Sequence, residues 1–438
     1  MTANYFIFDK NKCVGCEACI IACINENGFQ YPELWRNVHS SNPEKYPNLP
    51  LFYLSMSCNH CENAVCMDNC PALAYSRSLI SGAILHNQDA CIGCKYCTWN
   101  CPYAAPKYNP YKGIIEKCNF CETRLINKQK PACASLCPTG ALDFSFDKID
   151  KSKVETSLKT QINTKPSIVI KETRKQKAPR IDQSLFSDIE IPENKTRKDN
   201  KISPAKEWTL IVFTLIVSVM TAISISGFLN QAELKTKILF LTAGALAAFL
   251  STMHLGKPLR AWRALLNIKK SWLSREILFF TLFYFSQLVN ILFFKVPWFI
   301  TIILSILLLY SIDRLYKPVQ VHWKNKIHSA QVLFIALSFY LILNNLYPYW
   351  FLIMILRLYL FSTQSLKAFF SDKFKISIRI VRILSVFLTG LFIISSYPYS
   401  TIIITFSIGE IIDRILFYDE LEQTDVKKLI KTTESISN

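Results

Sequence analysis

The sequence predicts two physically different modules in one chain: a small α+β domain organised by metal, then an all-α membrane bundle of eight transmembrane helices. Three observations predict this. All 16 cysteines lie at or before residue 137. Long apolar segments begin only at Trp208. The segments after Trp208 are joined by loops whose basic residues fall mostly on one side, and this bias accounts for the net charge of +18 without a nucleic-acid partner. No nucleic-acid motif occurs, so that partner is not expected.

The first module rests on its cysteines. Residues 91–102, "CIGCKYCTWNCP", hold four cysteines and end in proline. CxxCxxCxxxCP is the bacterial ferredoxin spacing for a cubane iron–sulfur cluster. A zinc ribbon uses two separated CxxC pairs, so the third and fourth thiols of one run favour the cluster. Disulfides are disfavoured because "MTANYFIFDKNKC" shows no signal peptide. Cys13, Cys16, Cys19 and Cys23 repeat the spacing. Cys58, Cys61, Cys66 and Cys70 stretch one interval, and Cys118, Cys121, Cys133 and Cys137 stretch it further. Four runs use all 16 thiols, which predicts a ferredoxin-like domain with four [4Fe-4S] clusters over residues 1–150. The last cysteine of such a run serves the neighbouring cluster. Pro71, Pro102 and Pro138 follow three of those last cysteines; Cys23 lacks the proline but keeps the spacing. His60, between two ligands, reads as a hydrogen-bond donor to cluster or backbone, because the thiol count is already complete. So many ligands leave little room for an apolar core, and bound metal is expected to supply much of the folding free energy.

Residues 151–207 carry fourteen Lys and Arg against eight Asp and Glu, and read as a solvated basic linker. Within it "PSIVIK", residues 166–171, has strand character suited to pairing with a partner subunit.

Eight apolar segments follow, near residues 208–229, 237–255, 276–295, 297–313, 329–346, 348–366, 378–397 and 399–417. Each approaches the roughly 20 residues that cross a bilayer core, giving a membrane anchor over 208–418 and a tail over 419–438. A soluble helical core is disfavoured, since such helices rarely run this long without charges on one face. Loops on the N-terminal side hold Lys257, Arg260, Arg263, Lys269, Lys270, Arg275, Arg314, Lys317, Lys324, Lys326, Lys367, Lys373, Lys375, Arg379 and Arg382. The opposite side holds Lys235, Lys237 and Lys295. The cluster module and both termini are therefore expected on the cytoplasmic side of the inner membrane. Arg357 and Glu410 lie inside apolar segments, as a structural ion pair or as part of a proton path. Asp313 with Arg314, and Asp413 with Arg414, lie nearer segment ends and read as interfacial. His254, His322 and His328 all sit near helix ends, so b-type haem, which needs two facing axial histidines in the bundle, is not expected.

Here the residues carry a family resemblance. "CNHCENAVCMDNCPALA", "CIGCKYCTWNCPYAAPKYN" and "KCNFCETRLINKQKPACASLCPTGAL" resemble the four-cluster electron-transfer subunit of the dimethyl sulfoxide reductase family of molybdoenzymes. "HLGKPLRAWRALLNIKKSWLSREIL", residues 254–278, is similar to the membrane anchor subunit of the same enzymes, so two subunits read as fused. The resemblance implies four ligand sets: Cys13, Cys16, Cys19 and Cys137; Cys118, Cys121, Cys133 and Cys23; Cys58, Cys61, Cys66 and Cys101; Cys91, Cys94, Cys97 and Cys70. It also implies a separate molybdopterin catalytic subunit, since nothing here holds that cofactor. In that family the catalytic subunit often carries an export signal, whereas the loop charges here place the module inside.

The resemblance further implies a menaquinol site at His254 and Glu276, with Arg260, Trp272 and Ser274 around it. A histidine with an ordinary pKa of about 6.5 suits proton acceptance. The bland alternatives are Glu276 paired with Arg275 or Arg260, and His254 capping its helix. The expected function is a quinol-oxidising, electron-transfer and anchoring subunit whose partner reduces dimethyl sulfoxide or a similar S- or N-oxide, with no substrate reduction of its own. Its rivals are the same role for polysulfide, tetrathionate or another oxyanion, a dehydrogenase feeding quinone, and a transporter with a ferredoxin sensor. The last lacks an inverted repeat of Gly/Pro-broken helices.

Overall fold

The computed structural model describes residues 4–28, 34–42, 51–147, 163–171, 202–319, 327–365 and 373–421. Most of the expected linker, nearly all of the expected tail, and His322, Lys324, Lys326 and Lys367 lie outside the described residues. The chain divides into two compact units between residues 200 and 201.

The first unit runs β1 (Tyr5–Asp9), α1 (Ala18–Asn27), β2 (Asn37–Ser40), β3 (Tyr53–Met56), α2 (Val65–Asp68), β4 (Tyr75–Arg77), β5 (Ile84–His86), α3 (Tyr96–Asn100), β6 (Lys107–Asn109), β7 (Ile114–Glu116), α4 (Glu122–Ile126), α5 (Ala132–Ser135), β8 (Leu142–Ser145) and β9 (Ile168–Lys171). β1 reads YFIFD, and the alternation of a strand buries Phe6 and Phe8 on one face. It is the central strand of a three-stranded sheet, antiparallel to β8 and parallel to β9. Phe6 stands opposite Phe144 and Ile168, and Phe8 opposite Leu142 and Ile170, so six apolar side chains form one buried layer. The remaining strands form three antiparallel pairs, β2–β3, β4–β5 and β6–β7.

β9 lies inside the stretch expected to be a solvated linker, and it corrects that expectation. Ile168 and Ile170 alternate onto the face that Phe6 and Phe8 already occupy, so the segment completes the sheet of its own unit rather than waiting for a partner subunit.

The second unit is helical: α6 (Trp208–Ile225), α7 (Phe228–Gln231), α8 (Leu234–Met253), α9 (Trp272–Leu292), α10 (Trp298–Leu315), α11 (Val332–Leu343), α12 (Tyr347–Ser365), α13 (Lys373–Ile394) and α14 (Tyr399–Glu420). A 3-10 turn over Pro258–Leu265 joins α8 to α9. Among the described residues each of the eight expected segments contains a helix, and five stretches are long and apolar enough to cross a membrane: Trp208–Ile225, Leu234–Met253, Trp272–Leu292, Trp298–Val319 and Ile376–Ile394. α11 is too short to count by itself, and α14 carries Glu410, Asp413 and Arg414. Many large apolar side chains on these helices face outward, among them Leu239, Phe285, Leu352 and Phe387. Soluble proteins rarely expose such area contiguously, and the chain is a multi-pass membrane protein.

α8 and α9 approach closely where Gly244 leaves room for Tyr284. A Cβ at Gly244 would stand 2.3 Å from the Tyr284 ring. That ring is held in place, because the Tyr284 hydroxyl donates to the Leu241 carbonyl at 2.8 Å. Gly244→Ala is therefore expected to destabilise the helical unit by about 1–3 kcal/mol through overpacking, despite alanine's better helix propensity. Thermal unfolding in detergent checks this; an unchanged or raised midpoint contradicts it.

Candidate metal centre and membrane site

Each CxxC pair closes through the same backbone device. The residue before the second cysteine has a positive φ in all four loops: Gly15 at 72°, His60 at 43°, Gly93 at 70° and Phe120 at 67°. In three of the four loops the turn aims that residue's own N–H at the first sulfur of the pair. Gly93 donates to Cys91 Sγ and Phe120 to Cys118 Sγ, each at 3.4 Å, and Gly15 bonds Cys13 in the same way. Glycine takes this conformation at no steric cost, whereas other residues lose roughly 1–2 kcal/mol. At Gly15 the need is double, since a Cβ there would meet the Tyr53 ring at 2.6 Å.

The two non-glycine turns are held by each other. The rings of His60 and Phe120 stack at 4.1 Å and 12°, and Phe120 packs edge-on against Phe6 and Phe144. His60 Nδ1 accepts the Ile84 N–H at 2.9 Å. The ring thus accepts from backbone at Nδ1, and its donor is Nε2, which is buried with no hydrogen-bond partner among the described residues. Burial, reinforced by Lys117, Arg77 and Arg36, holds its pKa well below the ordinary histidine range, so the imidazole stays neutral.

The structure brings the thiols together in groups. Cys13 lies within electrostatic reach of Cys16, Cys19 and Cys137; Cys23 of Cys118, Cys121 and Cys133. Cys66 neighbours Cys58, Cys61 and Cys101, and Cys97 neighbours Cys70, Cys91 and Cys94. Cys137 joins the first group because β8, which follows it, pairs with β1, which precedes Cys13. The groups also adjoin one another: Cys19 neighbours Cys133, Cys118 neighbours Cys58, and Tyr75 neighbours both Cys66 and Cys97.

These residues fit iron–sulfur clusters. Cys58, Cys61, Cys66 and Cys101 line one cavity together with Pro102, Tyr103 and Thr164. Without metal, burial pushes the Cys101 thiol up to about 11 and the Cys118 thiol up to about 12, so ligation must displace their protons. Two buried cations offset the charge that ligation gathers. Arg36 donates to Ser55 Oγ at 3.0 Å and Ser57 Oγ at 2.8 Å; burial works against its charge, but Cys133, Cys19, Cys118 and Cys23 hold it as a cation. Lys117 donates to the carbonyls of Ile84 and Cys118. Sequence reasoning singles out neither. Lys117 carries a faint signal, as it abuts Cys118; Arg36 reaches the thiols only through folding.

In the helical unit, His254 closes α8 and is half-buried, while Glu276 is buried in the first turns of α9. Ser271 caps α9 by accepting the Ser274 N–H, and Ser274 Oγ is buried without a hydrogen-bond partner. Arg275 donates to the Ile268 and Lys269 carbonyls and lies over the Trp272 ring at 4.3 Å. The cation that acts on Glu276 is Arg414. Arg260 is half-buried in the 3-10 turn between α8 and α9.

Arg357 of α12 meets Glu410 through two parallel bonds of 2.9 and 2.6 Å and Asp413 at 3.1 Å. Arg382 of α13 closes the group at 3.1 Å to Glu410 and 3.2 Å to Asp413. All four side chains are buried. Asp413 and Arg414 are thus interior, correcting the interfacial expectation. α14 runs to Glu420, beyond the expected end at 417, and Ser329 and Ala330 fold over it: Ser329 Oγ donates to Asp413 at 2.9 Å, and Arg414 donates to the Ala330 carbonyl at 2.9 Å. Arg379, paired with Glu420, and Arg382 also leave the set of loop cations.

Residues 49–146 match the family model described as a 4Fe-4S dicluster domain, and residues 203–389 match that of the DMSO reductase anchor subunit (DmsC). Over 185 residues the protein is 36% identical to the B subunit of the anaerobic dimethyl sulfoxide reductase of Escherichia coli K12, a match that spans 39% of this sequence and 90% of the relative. It belongs to that iron–sulfur subunit family. The B subunit of the polysulfide reductase of Wolinella succinogenes is 39% identical over 175 residues, covering 37% of this sequence and 91% of the relative. The thiosulfate reductase electron transfer subunit of Salmonella typhi is 40% identical over 163 residues, covering 35% of this sequence and 81% of the relative. This family member therefore continues, in the same polypeptide, into an anchor-type region: an electron-transfer part and a membrane-anchor part of a reductase complex are fused.

The Arg357 group makes a sharp prediction. Arg357→Met leaves two buried carboxylates facing one cation, and is expected to cost about 3–5 kcal/mol of stability. Adding Glu410→Met should recover part of that loss. Unfolding midpoints of the single and double variants check it; a neutral single variant contradicts it.

Proposed function

We propose that the chain oxidises menaquinol and delivers the electrons to a separate molybdopterin subunit that reduces dimethyl sulfoxide or a similar S- or N-oxide. The observation that carries this reading is the union, in one chain, of a thiol-rich electron-transfer part and an anchor-type helical part. The polysulfide and thiosulfate relatives support a second reading, in which the partner reduces a sulfur oxyanion or polysulfide.

In this reading the thiols form the four sets given above, in the order first to fourth, each taking one [4Fe-4S] cluster. Four bound clusters supply one-electron carriers between a two-electron donor and a two-electron acceptor. The chain's own residues do the rest. Backbone N–H groups donate to the sulfurs, Arg36 and Lys117 hold positive charge among them, and the apolar layer of β1, β8 and β9 excludes water. The helical unit crosses the membrane eight times, with the thiol module and both termini in the cytoplasm. Thirteen of the fifteen cations counted for that side remain once Arg379 and Arg382 are set aside, against three on the other.

Quinol oxidation to quinone releases two electrons and two protons. In this reading Glu276 and His254 accept those protons, the carboxylate oxygen and the imidazole nitrogen each taking a hydrogen bond from a quinol hydroxyl. A buried carboxylate in a membrane helix is costly without such work. Arg414 keeps positive charge near Glu276, and in this reading Trp272, Ser274 and Arg260 complete the site.

Two outcomes are expected. Anaerobically purified protein should hold about sixteen irons with matching sulfide; a zinc-filled protein, or saturation near eight irons, contradicts the cluster assignment. Glu276→Gln should abolish quinol-driven reduction while dye-driven acceptor reduction by the assembled complex persists. Normal quinol oxidation in both Glu276→Gln and His254→Ala places the site elsewhere.

A further inference from the structure

The segment around Thr164 does more than complete the sheet. Residues 163–167 are hydrogen-bonded along 59–63, the turn between Cys58 and Cys61 and the two residues that follow it. Glu62 N–H donates to the Lys165 carbonyl at 2.9 Å and Asn63 N–H to the Thr164 carbonyl at 3.0 Å. Ser167 N–H donates to the Asn59 carbonyl at 2.8 Å, and Ser167 Oγ to the His60 carbonyl at 3.1 Å. A strap from beyond the cysteine runs is thereby fixed over the third thiol set.

Thr164 faces that set. It is 1% exposed and lines the same cavity as Cys58, Cys61, Cys66 and Cys101. Its hydroxyl hydrogen-bonds Cys61, and its Oγ1 lies 2.8 Å from the Tyr103 hydroxyl. Each hydroxyl has one hydrogen, and a metal-bound thiolate only accepts. The Thr164 hydrogen therefore goes to Cys61, and Tyr103 donates to Thr164 Oγ1. The result is a two-hydroxyl chain ending on a ligand sulfur.

We propose that Thr164 is a positioning residue for the third metal site: its hydroxyl, oriented by Tyr103, donates to Cys61 and raises the reduction potential of the cluster held there. This rests on the reading that Cys58, Cys61, Cys66 and Cys101 hold a cluster. Reduction adds one electron whose charge spreads onto the ligand sulfurs, and a hydrogen bond to sulfur is stronger in that more negative state. Thr164 is itself buried, so the effect acts at low dielectric.

Thr164→Val keeps the shape and removes the hydroxyl. In an anaerobic redox titration of the full chain followed by electron paramagnetic resonance, one of the four midpoints should fall. At a fixed potential its reduced-to-oxidised ratio should drop by up to about tenfold, or about 59 mV for one electron. The other three should stay in place, Thr164→Ser should restore the wild-type value, and Tyr103→Phe should give a smaller fall in the same direction. Full iron with four unchanged midpoints in Thr164→Val overturns the proposal, as does an equal fall in Thr164→Ser. Should Thr164→Val lose iron, Tyr103→Phe decides: with full iron, a lowered midpoint supports the proposal and unchanged midpoints overturn it. Failure of the underlying reading looks different, as wild-type protein would then hold about four irons fewer than sixteen.

Discussion

The left-handed turn before the second cysteine of each CxxC pair is the constraint on which the first unit depends. It sets an N–H against the first sulfur in three of the four loops, and it costs energy wherever the residue is not glycine. Gly15 and Gly93 meet the constraint by having no side chain. His60 and Phe120 meet it by stacking on each other and on the aromatic layer of β1 and β8. The aromatic layer of this unit thus also braces two turns that lack glycine, and those turns present thiols. Arg36 and Lys117 belong to the same logic, since thiolates gathered out of water need nearby positive charge.

The helical unit obeys a different constraint. Lipid-facing surfaces are apolar, so every charge must be answered inside the bundle. Arg357, Arg382, Glu410 and Asp413 answer one another with two cations and two anions. That arrangement ties α12, α13 and α14 together. Glu276 stands apart from it, in α9, with Arg414 as its neighbouring cation. Arg414 is in turn committed to Thr214, the Ala330 carbonyl and the rings of Tyr316, Phe417 and Tyr418.

Local chemistry is legible in the sequence, and long-range pairing is not. The cysteine runs can be read because cluster ligation fixes short spacings, and the helical segments because lipid demands unbroken apolar runs. β9 reads locally as a weak strand in a basic linker; only its alternation against Phe6 and Phe8 gives it a place, and that partner is distant in the chain. Arg36 has no local signal at all. Asp413 looks interfacial when its segment ends at residue 417. Extending α14 to Glu420, with Ser329 and Ala330 over it, puts it inside. Thr164 cannot be found from sequence because its partners, Tyr103 and Cys61, meet it only after the strap folds back.

In the proposed function, one polypeptide takes electrons from a membrane quinol into its own thiol-bound clusters. The most direct measurement is electron paramagnetic resonance of the purified, metal-loaded protein alone in lipid, without a catalytic subunit, before and after addition of a reduced menaquinol analogue. Reduced-cluster signals are expected to appear with quinol and to reach a substantial part of the dithionite-reduced intensity. Clusters that dithionite reduces but quinol never does, in intact lipid-embedded protein, would contradict it.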